Sequence, residues 1–203
     1  AMAAIAVSCA SDDEVAPASP RAPAPTAATP IASATAAPTV DISRSGIASV
    51  DAAIDAVLAG DADGLRRLLR YTPTRCQTAP QQVGSPPPCR ASEADGTLVD
   101  VLSVLHCEGV YQREGELDLG FDGSPFPPVG SSLYAVYRSG PTTFPPSQYT
   151  VIFSRPGSGS GFGTAFALEM SDDGVVGVSH GCAGTIDKFL QYGHFTDIIV
   201  SPR

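Results

Sequence analysis

The chain has 203 residues, with 12 Lys and Arg against 21 Asp and Glu, for a formal net charge of −9. That balance leaves no electrostatic footprint for phosphate backbones, so no nucleic acid partner is expected. No apolar run reaches the roughly 20 residues that a helix needs to cross a hydrocarbon core, so any membrane attachment must be by other means.

The first stretch offers such a means. Ala3-Ala4-Ile5-Ala6-Val7-Ser8-Cys9 is short and apolar, with a small residue directly before a cysteine. It resembles the end of a bacterial lipoprotein signal peptide. The resemblance implies cleavage before Cys9, lipidation of that cysteine, and a membrane partner reached through the lipid anchor. Residues 1–9 are then the remainder of the signal. Residues 10–45 are dominated by Ala, Pro, Ser and Thr, with Pro17, Pro20, Pro23, Pro25, Pro30 and Pro38 spaced through them. Such a composition cannot bury enough apolar surface to order itself, and it reads as a disordered linker. At ~3.1 Å per residue in extended polyproline geometry, about 30 residues reach on the order of 90 Å, the length of a stalk.

A single domain over residues 46–203 follows. Ile47, Val50, Ile54, Val57 and Leu58 line one helical face, with Ser49 as the expected cap and Gly60 as the stop. Asp61 caps a second helix whose apolar face is Leu65, Leu68 and Leu69. Its Arg66, Arg67 and Arg70 lie toward the C-terminal half, where cations suit the helix dipole, and Pro73 is the expected end. The run Ala52-Ala53-Ile54-Asp55-Ala56-Val57-Leu58-Ala59-Gly60-Asp61-Ala62-Asp63-Gly64-Leu65 is similar to the opening of the nuclear-transport-factor-like (cystatin-like) superfamily. That resemblance implies helices broken by a Gly-Asp step, then a curved antiparallel sheet. It also implies a cone-shaped domain with an apolar pocket that different members use for catalysis, ligand binding or association.

Of the five cysteines, lipidation removes Cys9 and leaves four, which can pair in three ways. Cys76 and Cys89 flank Pro80, Gln81, Gln82, Pro86, Pro87 and Pro88, a stretch with no helix or strand pattern, so a Cys76–Cys89 bridge closes a local loop. Cys107 and Cys182 remain as a second pair, tying an early strand to a late one. A rival reading joins His106, Cys107, His180 and Cys182 as a zinc ligand set. Neighbouring strand residues point to opposite faces, so His106 and Cys107 reach one ion only across a bulge; the disulfide is preferred, and no metal or cofactor is expected.

Beyond the cysteine loop the period becomes that of strands. Residues 97–105 are apolar on both faces and predict a central strand; further strands are predicted at 110–112, 133–138, 148–155, 162–170 and 175–179. Asp173-Gly174 suits a tight turn. Thr185 caps a short helix whose Ile186, Phe189 and Leu190 face the core and whose end is Gly193; a last strand runs over 195–200. The expected fold class is α+β. Its architecture is an N-terminal helical hairpin packed on a curved, mostly antiparallel sheet, with a short C-terminal helix and final strand.

Catalytic patterns are few. Gly177-Val178-Ser179-His180-Gly181 matches a nucleophile elbow, and makes Ser179, with His180 or His194 as base, the candidates for a hydrolase. That chemistry belongs to a parallel sheet with an acid and a histidine well downstream, whereas only Asp187, His194 and Asp197 follow here. Glu114, Glu116, Asp118 and Asp122 lack the spacing of a calcium loop and read as a solvated acidic segment. The leading expectation is an exported, lipid-anchored envelope module that binds a small apolar ligand or a partner protein without catalysis. The alternatives are a hydrolase built on Ser179 and a wall-associated spacer.

Overall fold

Residues 44–79, 85–105, 110–115, 126–141, 145–155, 164–180 and 185–202 are described by a computed structural model, and residues 41–203 form one unit. The expectations for Cys9, the linker up to residue 43, His106, Cys107, Glu116, Asp118, Asp122 and Cys182 lie outside the described residues.

The first helix, α1 (Ala48–Ala59), presents Val50, Ala53, Ile54 and Val57 as one buried face. Its start differs from the expected one. Ser49 sits inside the helix and donates to the carbonyl of Ser171 at 3.3 Å, while the end is organised by Ser45, whose backbone N–H and hydroxyl both donate to Asp51 Oδ1 at 2.8 Å. The apolar register, which must bring Val50 onto the core, draws the helix start upstream of Ser49. Gly60, at φ 67°, closes α1 as expected, and Asp61 caps α2 (Ala62–Leu68) by accepting from the Gly64 N–H at 2.8 Å.

Pro73 does not end that helix. The chain is already extended at Leu69, Arg70 donates to the Val175 carbonyl at 2.8 Å, and Pro73 lies within a short strand, β1 (Thr72–Arg75). Among the described strands it pairs with β2 alone, so a residue without an N–H is tolerated there.

The remaining strands are β2 (Leu98–Leu105), β3 (Val110–Arg113), β4 (Ser132–Ser139), β5 (Tyr149–Ser154), β6 (Ala165–Ser171), β7 (Gly174–Ser179) and β8 (Phe195–Val200), with α3 (Ile186–Tyr192) before the last. They form one open sheet in the order β1-β2-β7-β6-β5-β4-β8, and β3 pairs with β2. The fold is α+β and the sheet is mixed: β2 and β7 run parallel, with Ser103, Val104 and Leu105 opposite Gly177, Val178 and Ser179.

Each strand divides its side chains between two faces. On one, Val50, Ile54, Val57 and Leu65 pack against Leu102, Val151, Phe153, Phe166, Leu168, Met170 and Val178. The rings of Phe153 and Phe166 stack there at 5.0 Å. On the other face Ala135, Tyr137, Ile152 and Ala167 are covered by Ile186, Phe189 and Phe195, and Tyr137 stacks on Phe195 at 4.4 Å. Thr185 caps α3 as expected, accepting from the Lys188 N–H at 3.3 Å, but Leu190 is exposed rather than core-facing, because Ile186 and Phe189 are the α3 side chains that pack on the sheet.

The Cys76–Cys89 disulfide is present. Beside it Arg113 grips Glu93 with two hydrogen bonds of 2.6 and 2.8 Å and also donates to the Pro88 carbonyl at 2.8 Å, joining the cysteine loop to β3.

Candidate functional site

Along β6 the side chains alternate: Phe166, Leu168 and Met170 point into the helix-covered core, whereas Ala165, Ala167 and Glu169 belong to the opposite face. Pairing registers carry that second face across the sheet. Tyr111 of β3 lies opposite Ser103 of β2, Ser103 opposite Gly177 of β7, Gly177 opposite Glu169, Glu169 opposite Thr150 of β5, and Thr150 opposite Tyr137 of β4. One cross-strand row thus runs through a tyrosine, a serine, a glycine, a carboxyl, a threonine and a second tyrosine.

The glycine is needed by what lies over it. A Cβ at Gly177 meets Pro145 Cγ at 2.6 Å, so Pro145 rests directly on the β7 backbone. With Pro146, the same proline walls a cavity of about 350 Å³, completed by Thr72, Thr74, Val101, Ser103, Tyr111 and Val176. Its lining combines valines and prolines with the hydroxyl-bearing residues Thr72, Thr74, Ser103 and Tyr111, and burial pushes the Tyr111 phenol above its ordinary value.

On the far side of Pro145 the row turns polar. Glu169 is 6 % exposed, and its Oε2 lies 2.9 Å from Ser147 Oγ and 2.8 Å from Thr150 Oγ1. Ser139 Oγ completes the group, 3.0 Å from Ser147 and 2.9 Å from Thr150. Burial drives the Glu169 carboxyl up to about 7, against the opposing pull of the Thr150 and Ser147 hydroxyls.

The hydrolase candidates are not brought together. Ser179 is a paired strand residue opposite Ala167, which puts its side chain on the second face, whereas His180 has its ring against Phe126 at 5.4 Å and near Phe166 at 6.4 Å, in the helix-covered core. Serine and histidine diverge because adjacent residues leave a strand on opposite sides. His194 precedes β8 and accepts at its carbonyl from Gly140, four strands from β7, or ~19 Å by strand spacing alone. Ser179 is a buried residue of a paired strand, whereas an elbow serine stands exposed on a sharp turn.

Among the described residues, Cys76, Cys89 and Glu93 bring ligand-type atoms within 4.8 Å of one another. The disulfide leaves no thiolate for an ion, and Glu93 is held by Arg113, so this cluster reads as a structural staple. Arg66 and Arg67 pair with Asp63 and Asp61 at 3.0 and 3.9 Å on the exposed side of α2, as a solvated helix face does.

Searches against family models, curated proteins and solved structures find no match. The cavity and the Glu169 group were missed by sequence reasoning. Their one available signal was the alternation of Ala165, Ala167 and Glu169 with large apolar residues, which marks a strand face that something covers closely.

Proposed function

We propose that this domain is an extracytoplasmic binding module of a bacterial envelope, anchored by lipid on Cys9 through the linker of residues 10–45. It takes a small, mostly apolar ligand into the cavity between β1, β2, β3, β7 and Pro145-Pro146. The cavity carries this reading. Its volume of about 350 Å³ falls in the range that holds small ligands, and its lining combines apolar walls with a few hydroxyls that orient a bound molecule. The Cys76–Cys89 bridge fits an oxidising compartment, and no described helix is long and apolar enough to cross a membrane, so attachment in this reading rests on Cys9. A binding role is favoured over hydrolysis because Ser179 and His180 face opposite sides of the sheet. The likeness of residues 52–65 to nuclear-transport-factor-like proteins, which imply an apolar pocket, points the same way.

The test uses the uncharged solvatochromic dye Nile red as probe. Fluorescence titration of the exported protein gives saturable binding, which Val176→Phe weakens at least about tenfold by filling the cavity, while Leu98→Phe, at an exposed site of β2, leaves it unchanged. Equal binding by both variants sinks the reading. Incorporation of labelled palmitate in bacterial cells, lost on Cys9→Ser, tests the anchor.

A further inference from the structure

Glu169 Oε2 and three hydroxyl oxygens form a closed ring of four. Glu169 Oε2 touches Ser147 Oγ at 2.9 Å, Ser147 touches Ser139 Oγ at 3.0 Å, Ser139 touches Thr150 Oγ1 at 2.9 Å, and Thr150 returns to Oε2 at 2.8 Å. A two-centre hydrogen bond at each of these contacts needs its own proton. Each of the three hydroxyls has one proton to give, and an ionised carboxylate has none. The conflict is sharpest at Ser147, whose single proton is aimed at both Ser139 and Glu169. A proton on Glu169 resolves it. Oε2–H then donates to Ser147, Ser147 to Ser139, Ser139 to Thr150, and Thr150 back to Oε2, so that all four contacts are filled in one direction.

Ser147 is also the residue that follows Pro145-Pro146, the cavity wall seated on Gly177. We infer that Glu169 is protonated in this ring and that its proton governs ligand binding: the complete ring fixes Ser147 and the proline wall, and loss of the proton to solvent opens one contact and releases that wall. The inference rests on the reading of the cavity as a ligand site.

The surroundings of Glu169 make it the group that titrates. The side chains facing it come from β5 (Thr150), β4 (Ser139) and the Ser147 segment, and no charged side chain contributes to its shift, which arises from burial. The ionisable groups of the same row are Tyr137, two strands away on β4, and Tyr111, three strands away on β3, at ~10 and ~14 Å by strand spacing. Asp172, in the turn after β6, is engaged by Gln148 and by the hydroxyl of Tyr149, whose ring belongs to the helix-covered core.

Two measurements test this. The first is the ¹³C shift of the Glu169 carboxyl against pH; a midpoint near neutrality supports the ring, and an ordinary carboxylate midpoint overturns it. The second is Nile red affinity at about pH 5.5 and about pH 8.5, which bracket a midpoint near 7. The wild type is expected to bind about tenfold more weakly at the higher pH, whereas Glu169→Gln and Ser147→Ala each vary less than about twofold. Ser147→Ala serves alone if Glu169→Gln does not fold. A wild-type affinity that ignores pH while the carboxyl titrates near neutrality overturns the coupling and leaves the cavity reading intact. Absence of dye binding at both pH values overturns the cavity reading, and the switch with it.

Discussion

Glu169 is buried with two hydroxyls at its carboxyl, whereas Glu93 lies at the edge of the cysteine loop under the guanidinium of Arg113. Burial raises the first to about 7. Hydrogen bonds from Arg113 and then from the Arg90 backbone N–H lower the second to about 2. The consequences for stability have opposite signs. Glu169 binds its proton more tightly folded than unfolded, so its contribution is complete below the ordinary 4.5 and is lost as pH rises through about 7. Glu93 releases its proton more readily when folded, so its contribution is complete above 4.5 and is lost as pH falls toward about 2. Between them they place the most favourable pH near 4.5. The rise of Glu169 corresponds to about 3 kcal/mol withdrawn at alkaline pH. Urea unfolding midpoints of the wild type should therefore fall between pH 5 and pH 8, and those of Glu169→Gln should stay nearly level. A wild type equally stable at both ends contradicts the burial argument for Glu169.

At the scale of elements, the helices were legible and their ends only partly so. Gly60 stops α1 in the left-handed region, where a side chain is strained, and Asp61 restarts the chain as a cap; both follow from the local Gly-Asp step. Gly60→Ala and Asp61→Ala are each expected to lower unfolding stability by about 1 kcal/mol, measured by denaturant titration. Ser49 could not be judged from sequence, because choosing between it and Ser45 requires knowing which turn of α1 reaches the core. Strand β1 stayed hidden for a different reason. Thr-Pro-Thr-Arg has little β character beyond its threonines, Pro73 imitated a helix stop, and only pairing with residues 98–101 makes the segment a strand. With β1 hidden, Thr72 and Thr74 were hidden too, and with them part of the cavity. Gly177 belongs to the same class: it read as part of a catalytic pattern, and its role is close approach. Gly177→Ala drives Pro145 outward and is expected to cost about 1 to 3 kcal/mol by overpacking and to weaken dye binding, a joint effect that thermal unfolding and fluorescence titration detect together.

For the whole molecule, the period-2 pattern located most strands, but strand order is carried by contacts far apart in sequence. Nothing local to residues 98–105 or 174–179 says that β2 and β7 pair, or that they run parallel, so the sheet is mostly antiparallel as read, and its one parallel pairing among the described strands was not legible. The position of the cysteine loop was legible because Cys76 and Cys89 bracket a segment without regular pattern. Its part in the assembly was not. Cys76 donates to the Thr97 carbonyl at 2.8 Å and accepts from Gly96 at 2.9 Å, so the bridge sits where β1 leads into the loop that returns as β2, and Arg113 fastens that loop to β3 through Glu93. The disulfide thus holds the margin of the sheet from which Thr72 and Thr74 reach the cavity. Closing a loop with a sequence separation of 13 is worth about 3 kcal/mol by its effect on the unfolded chain. The Cys76→Ala/Cys89→Ala double variant is accordingly expected to lose about that much in urea unfolding, on the order of 10 °C in Tm for a domain of this size, and to bind Nile red more weakly through the less constrained β1. Unchanged stability in the double variant means that Glu93–Arg113 and the main-chain bonds already hold the margin; lost stability with unchanged dye affinity separates the staple from the cavity wall.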